Sequence, residues 1–326
     1  MMPKTKYHVA ALIAGSFLLY VSVASGGEAY PTRPIRFVLG PGPSSGTDIM
    51  ARGIAQKLAE RLGQTVLVEN RTGAGGTVAV ASVVKAAPDG YTILFVSGSL
   101  VIHPAVYKKL PYDVVRDLAP IMLIGVVPQV IVVHPSLPAR NMRELIALAK
   151  SRPGQINYGS GGVGSTGHLA GELLQSMAGV RLVHVPYKGA GPAAVDLIGG
   201  QIEMLVTSAV NALQHERSGR IRSLAVTTAR RSLAMPDVPT VAEAALPGYE
   251  LMTWYGLLAP AGTPREAIDR LNRETTAVLK LADVQSRLAA DGVEPAPDTP
   301  EQFSALIKSE LARIAKIIRE ANIQIE

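Results

Sequence analysis

The residues of this 326-residue chain best suited to chemistry sit in five loops rich in glycine, serine and threonine, at 44–47, 97–99, 160–166, 189–191 and 207–208. Each loop follows a short apolar run of β type, and several open directly into a segment of helical period. Backbone N–H groups at a helix N-terminus have no acceptor within the helix and carry the positive end of its dipole. With hydroxyls beside them they make an anion cradle that needs no arginine. In open parallel sheets ligands sit beyond the carboxyl ends of the strands. If the two halves of the chain face each other, these loops line one cleft whose natural guest is a small carboxylate. Singly, each loop has a plainer reading, because glycine supplies a tight turn and serine or threonine caps the next helix. Recurrence at five strand ends in two halves is what argues for a site.

Other chemistries find less support. The glycines of Gly161-Gly162-Val163-Gly164-Ser165 and of 73–76 look phosphate-friendly, but no Lys-Ser/Thr pair follows them and no acidic ribose partner is placed for a dinucleotide. A hydrolase could draw a nucleophile from Ser44, Ser45, Ser97, Ser165 or Ser208 and a base from His168 or His184. Around Ser160 the run Gly159-Ser160-Gly161-Gly162-Val163 fails the Gly-x-Ser-x-Gly elbow at its last position. His168 falls in the first turn of a helix, and His184 alternates with Val183 and Val185 on a strand, so both read as structural. His103, His134, His168, His184 and His215 are dispersed, and there is no cysteine, so neither a zinc site nor a thiol nucleophile is expected. Arginine groupings at 140/143 and 217/220/222, with only 4 Phe and 1 Trp for stacking, do not make a nucleic-acid surface.

The elements that must position these loops alternate in the manner of an α/β fold with largely parallel strands. Residues 35–39 are a strand, and Met50, Ile54, Leu58 and Leu62 recur every four residues on a helix ending at Gly63. Strands follow at 65–69 and 91–96, the second after a Pro88-Asp89-Gly90 turn. The nearly continuous apolar run 121–133, broken at Pro128 and Gln129, carries the chain from one domain into another. A second series places strands at 156–158, 182–185, 202–206 and 221–227 with helices at 141–150, 169–177 and 193–198. Segment 250–259 precedes two long amphipathic helices, 265–281 and 300–321. A chain of this length with 48% hydrophobic residues divides more naturally into two cores than one.

Lys4 and Lys6 precede an apolar run from Val9 to Val21 that ends in small residues, the pattern of a cleavable secretory leader over 1–29, cut after Ala24 or Ala29. The run is short of the ~20 residues a permanent membrane helix needs. Export would place the mature chain outside the cytoplasm, and its mild positive charge would help gather small anions.

A specific set of residues completes the reading. Tyr30-Pro31-Thr32-Arg33-Pro34-Ile35, Pro43-Ser44-Ser45-Gly46-Thr47-Asp48 with Ala51-Arg52, and Val68-Glu69-Asn70-Arg71 with Gly73-Ala74-Gly75-Gly76 come from the first half. Ala87-Pro88-Asp89-Gly90-Tyr91-Thr92, Tyr158-Gly159-Ser160, Gly164-Ser165, His168-Leu169, Val185-Pro186-Tyr187-Lys188-Gly189 and Ala259-Pro260-Ala261-Gly262-Thr263-Pro264 follow. Together they resemble the Bug family of periplasmic solute-binding proteins, receptors of tripartite tricarboxylate transporters. The resemblance implies a two-domain Venus-flytrap fold of the type II periplasmic-binding-protein kind. It also implies a carboxylate ligand held by backbone amides and waters, no catalysis, no cofactor and no metal, and delivery to the transporter's membrane subunits.

Domain 1 would comprise 30–125 plus about 228–326, domain 2 would comprise 126–227, and a monomer is the default. By carry-over the first-domain side of the cleft is Pro43, Ser44, Ser45, Gly46, Thr47 and Asp48 with Ser97 and Gly98. The second-domain side is Ser160, Gly161, Ser165, Thr166 and His168, then Tyr187, Lys188, Gly189 and Ala190, then Thr207 and Ser208. One departure stands out: Gly42-Pro43-Ser44-Ser45 replaces the family's common Pro-Pro-Gly-Gly, adding hydroxyls and restricting φ. Asp48 beside an anion site reads as a helix cap, the alternative being a partner for a ligand ammonium group. Two other functions are weighed: a sensor signalling to a two-component kinase, and a periplasmic serine hydrolase.

Overall fold

The computed structural model describes residues 30–290, 292–320 and 323, so the leader expected over 1–29 lies outside the described residues. The first lobe opens with β1 (Ile35–Leu39), α1 (Gly46–Leu62) and β2 (Val66–Asn70). A 3₁₀ turn at Ala74–Gly76 leads into α2 (Thr77–Val84), β3 (Thr92–Ser97), a second 3₁₀ turn at Gly98–Val101 and the short α3 (His103–Val106). The long strand β4 (Leu118–Val133) crosses into the second lobe. There follow α4 (Met142–Ser151), β5 (Asn157–Ser160), α5 (Thr166–Ala178), β6 (Val183–Pro186) and α6 (Ala190–Ile198). After them come β7 (Met204–Ser208), α7 (Ala209–Glu216), β8 (Arg222–Val226) and α8 (Val241–Ala244). The return strand β9 (Met252–Pro260) leads to α9 (Arg265–Leu279), α10 (Ala282–Ala290), β10 (Glu294–Pro295) and α11 (Pro300–Glu320).

The strands form one sheet in the order β2-β1-β3-β9-β4-β7-β5-β6, with β8 and β10 also pairing with β4. The pairs β1–β2, β1–β3, β5–β6 and β5–β7 are parallel, as the alternation of elements predicts. The middle is not: β9 runs antiparallel to β3 and β4, and β4 antiparallel to β7 and β8. The chain leaves the first lobe along β4 and returns along β9, and two side-by-side crossings in opposite senses must be antiparallel.

β4 changes partners halfway along. It pairs with β9 as far as Pro128 and with β7 from Gln129, and at the changeover proline withholds a ladder N–H. Thr227, fully buried, knots the two crossings together. Its N–H donates to the Gln129 carbonyl (2.9 Å), the Gln129 N–H donates to its hydroxyl (3.1 Å), and its carbonyl accepts the Leu251 N–H (2.8 Å). Residues 228–251, expected in the first domain, pack on the second lobe instead. Arg143 Nε donates to the Ala244 carbonyl (3.0 Å) and Tyr249 Oη to the Ala170 carbonyl (2.8 Å).

Two buried apolar clusters exist, but they are not one per lobe. Phe37 and Leu39 of β1 belong with Val130 and Val132 of β4 in one cluster, and Val38, Ile131 and Val133 belong to the other. Period-2 alternation therefore puts one cluster on each face of the sheet, and each runs through both lobes. Among the described residues no helix is long and apolar enough to cross a membrane.

Two of the helices that face the cleft are built alike. Ser45 caps α1 and Ser165 caps α5, each with φ −74° and ψ 158° and each accepting the N–H three residues on. Both helices end at a glycine in the left-handed region, Gly63 (φ 65°) and Gly179 (φ 61°), whose N–H returns to the helix.

Candidate functional site

A cavity of about 310 Å³ opens between the lobes, at the small end of the range for small-molecule sites. Of the residues expected there, Ser45, Gly46, Thr47 and Ser97 line it from the first lobe. Gly161, Ser165, Thr166, Tyr187, Lys188, Gly189, Ala190, Thr207 and Ser208 line it from the second. Pro43, Ser44, Asp48, Gly98, Ser160 and His168 do not line it. Ser99, Gly162 and Val163, within the loops expected to line the cleft, are also there, and Gly40, Pro41, residues 73–76, Gln129, Pro186, Val206, Thr253 and Tyr255 join the lining without having been expected. Residues 73–76 had an audible signal in their glycines. Gln129, Thr253 and Tyr255 lie inside β4 and β9, where nothing local marks a site residue.

The N-termini of α1, α2, α5, α6 and α7 all begin at this lining. At α1 the orphan donors can be followed one by one. The Asp48 N–H goes to the capping Ser45 Oγ (3.2 Å), and the Ser44 N–H goes to Asp48 Oδ2 (3.1 Å). Gly46 and Thr47, at the first two helical positions, line the cavity, and helix geometry leaves their N–H groups no intrahelical acceptor. The α5 terminus repeats this. The His168 N–H goes to Ser165 Oγ (3.2 Å) and the Gly164 N–H to His168 Nδ1 (3.2 Å), which leaves Thr166 and Gly167 at the cavity. Each lobe therefore presents two adjacent backbone donors at the positive end of a helix dipole.

Asp48 is neither the cap nor a free carboxylate. The cap is Ser45, and Asp48, 4% exposed, accepts from Ser44 N–H, from Arg52 Nε (3.1 Å) and from Asn70 Nδ2 (3.0 Å). Burial pushes its pKa up, but the hydrogen bonds from Arg52, Asn70 and the Ser44 amide outweigh burial and hold it below the usual carboxylate value. So engaged, it has no role left for a ligand ammonium group. Lys188 is the only charged side chain among the described residues lining the cavity. Among the described residues no group of three His, Cys, Asp or Glu could hold a metal ion.

His168 stands behind the cavity wall, 4% exposed, its ring stacked on His184 at 3.9 Å between centroids and 9° between planes. Burial pushes the pKa of His168 down to about 4, and burial with the neighbouring His168 pushes His184 down to about 3. His184 Nε2 lies 2.6 Å from Ser160 Oγ, a serine–histidine contact of the kind a hydrolase uses. Ser160 is fully buried and outside the lining, so a substrate does not reach that hydroxyl. Residues 42–46 do spell Gly-x-Ser-x-Gly, with Ser44 at φ 62° between a strand and a helix. The contact of Ser44 here is through its amide to Asp48, not through a histidine.

The lobes touch around the cavity. The Gly42 N–H donates to the Lys188 carbonyl (3.1 Å), Tyr107 Oη donates to the Val163 carbonyl (2.8 Å), and Thr166 Oγ1 meets Thr253 Oγ1 at 3.3 Å. Glycine is required at Gly75, where φ is 63° and a Cβ would stand 2.0 Å from the Val163 carbonyl oxygen. His103, buried and with its pKa pushed down to about 4 by burial, holds the Gly75 carbonyl through Nε2 (3.1 Å).

A two-lobed α/β molecule with paired backbone donors facing each other across a cavity is a solute-binding protein of the Venus-flytrap kind. Residues 50–323 match the family described as the tripartite tricarboxylate transporter family receptor, and the chain belongs to that family. It is 37% identical over 318 residues to Protein BugT of Bordetella pertussis, covering 96% of this chain and 98% of that one. Among solved structures it resembles an R. palustris protein with adipate (35% identity, TM-score 0.88, 90% of this chain and 99% of that one). It also resembles MatC of Rhodopseudomonas palustris with bound malate (31% identity, TM-score 0.86, 89% and 100%). The expected membership of the Bug family and the two-domain fold are thereby established, and the chain is a solute-binding receptor.

Proposed function

We propose that the protein captures a small carboxylate-bearing solute between its lobes, outside the cytoplasm and as a monomer, and delivers it to the membrane subunits of a tripartite transporter. The observation that carries this reading is the meeting of paired helix-terminal N–H groups from both lobes, Gly46 and Thr47 with Thr166 and Gly167, on a cavity with no acidic side chain in its lining. An anion gains from both helix dipoles at once only when the lobes are together, so its binding free energy is directed into closure. An ammonium group would meet the same positive ends, with Asp48 already committed to Arg52 and Asn70. Adipate and malate, found with two relatives, are dicarboxylates without an amine and are the first acids to try. Catalysis has no part in this reading.

The test is a thermal-shift screen of the mature chain, unfolded and refolded to strip carried ligand, against mono-, di- and tricarboxylates and amino acids. A ligand at 100 times its dissociation constant adds ~2.7 kcal/mol, a shift of several degrees at roughly 2–4 °C per kcal/mol. Dicarboxylates should raise Tm while their α-amino counterparts do less. A panel in which amino acids alone stabilise would overturn the carboxylate reading.

A further inference from the structure

Behind the second lobe's anion-facing loop lies a connected set of groups that ligand contact does not explain. Ser160 Oγ accepts the Gly162 N–H (3.1 Å) and lies 2.6 Å from His184 Nε2, and the His184 ring stacks on His168. His168 Nδ1 accepts the Gly164 N–H (3.2 Å), and its Nε2 faces Glu172 Oε1 at 3.7 Å. Glu172 in turn accepts from Tyr158 Oη (2.6 Å) and Gln175 Nε2 (2.8 Å), while the Tyr158 ring lies 4.9 Å from that of His184. Two loop segments, at Gly162 and at Gly164, are thus fastened from behind by two imidazoles in contact with each other.

The acceptor role has a definite chemical requirement. Nδ1 of His168 can take the Gly164 N–H only while it carries no proton, which fixes the proton on Nε2, toward Glu172. Protonation would turn Nδ1 into a second donor facing the first, and the close stack opposes charge on both rings. The first lobe solves the same problem with a carboxylate, since Asp48 Oδ2 takes the Ser44 N–H from the same helical position.

We infer that the stacked pair His168 and His184 positions the ligand-binding loop of the second lobe. Uncharged, it holds residues 160–165 so that the Thr166 and Gly167 amides face the cleft. This rests on the solute-binding reading for its functional half and on the loop geometry alone for its structural half. The two are positioning residues and do not touch the ligand.

The test joins a spectroscopic reading to a binding one, both on the mature chain. Long-range ¹H–¹⁵N spectra at pH 7 should show His168 as the Nε2–H tautomer and His184 uncharged. In His168→Leu the Gly164 amide should exchange with solvent much faster than in the wild type. His168→Asn, whose Oδ1 can replace the acceptor as Asp48 does in the first lobe, should restore protection. Calorimetry with adipate and malate should show about a ten-fold loss of affinity in His168→Leu and recovery of most of it in His168→Asn, with melting used to confirm that both variants fold. An Nδ1–H tautomer, a charged His168 at pH 7, or an unchanged Gly164 exchange rate in His168→Leu overturns the inference. If neither acid binds the wild type, the solute reading is what suffers, and the tautomer and exchange results still decide the positioning role.

Discussion

The loops 43–48 and 163–168 are two versions of one device. Both follow a parallel strand, both cap a helix with a serine at the same φ and ψ, and both return an amide N–H to the side chain at the third helical position. They differ in what that side chain is. Asp48 is an anion paired with Arg52 and hydrogen-bonded by Asn70, whereas His168 is a neutral ring backed by His184. They differ also one residue before the cap, where Ser44 (φ 62°) faces Gly164 (φ 76°). A Cβ at Gly164 would lie 3.0 Å from the Tyr107 ring, whereas Ser44 is exposed. The backbone geometry is therefore the shared requirement, and each lobe meets it with the side chains its surroundings allow.

Acid should separate the two loops most strongly. Burial holds His168 at about 4 and His184 at about 3, below the ~6.5 of a free histidine, so the unfolded chain binds more protons than the native one between those values. Stability then falls as the pH drops from ~6.5 toward ~4, by on the order of a few kcal/mol. Asp48 has a lowered pKa, so its contribution persists through that window and is lost only below the usual carboxylate value. Amide exchange followed against pH should release Gly164 well before Ser44; simultaneous release would remove the distinction between the loops.

Next in size is the glycine itself. Gly164→Ala combines a left-handed φ with contact on Tyr107 and should destabilise the chain by about 2 kcal/mol or more in urea melts. A neutral result would mean that the second lobe is no more constrained there than the first. Tyr107→Phe keeps the ring and removes only the hydroxyl that joins the lobes at Val163, so ligand affinity should weaken by roughly the ~1 kcal/mol of one hydrogen bond while the pH profile stays as it was. The smallest effect is expected at Ser44→Gly. Relief of a left-handed serine is worth up to ~1 kcal/mol, set against the greater entropy glycine loses on folding. A loss of stability would show that the Ser44 side chain itself supports the loop.

Much of this architecture could be read from the residues. The four-residue recurrence of Met50, Ile54, Leu58 and Leu62 marks α1 because one face must meet the core, and Gly63 marks its end because glycine alone enters the left-handed region cheaply. The loops of the cleft could be read for the same reason, their glycines and hydroxyls being local signals. What escaped was long-range or short. The insertion of β9 between β3 and β4 depends on pairing across more than a hundred residues, which no local period records. The short helices α3 and α8 and the two-residue β10 are too brief to have a period. Asp48 and His168 were placed at the ligand by carry-over from the family resemblance, yet a side chain at the third helical position folds behind the loop it braces.

The most direct measurement follows the four amides of Gly46, Thr47, Thr166 and Gly167 by NMR while a dicarboxylate that stabilises the mature chain is added. All four should move downfield together and saturate with one dissociation constant, as they must if both helix termini hold a single anion. Movement confined to one lobe, or binding that leaves all four in place, would contradict a cleft in which the two loops grip the same ligand.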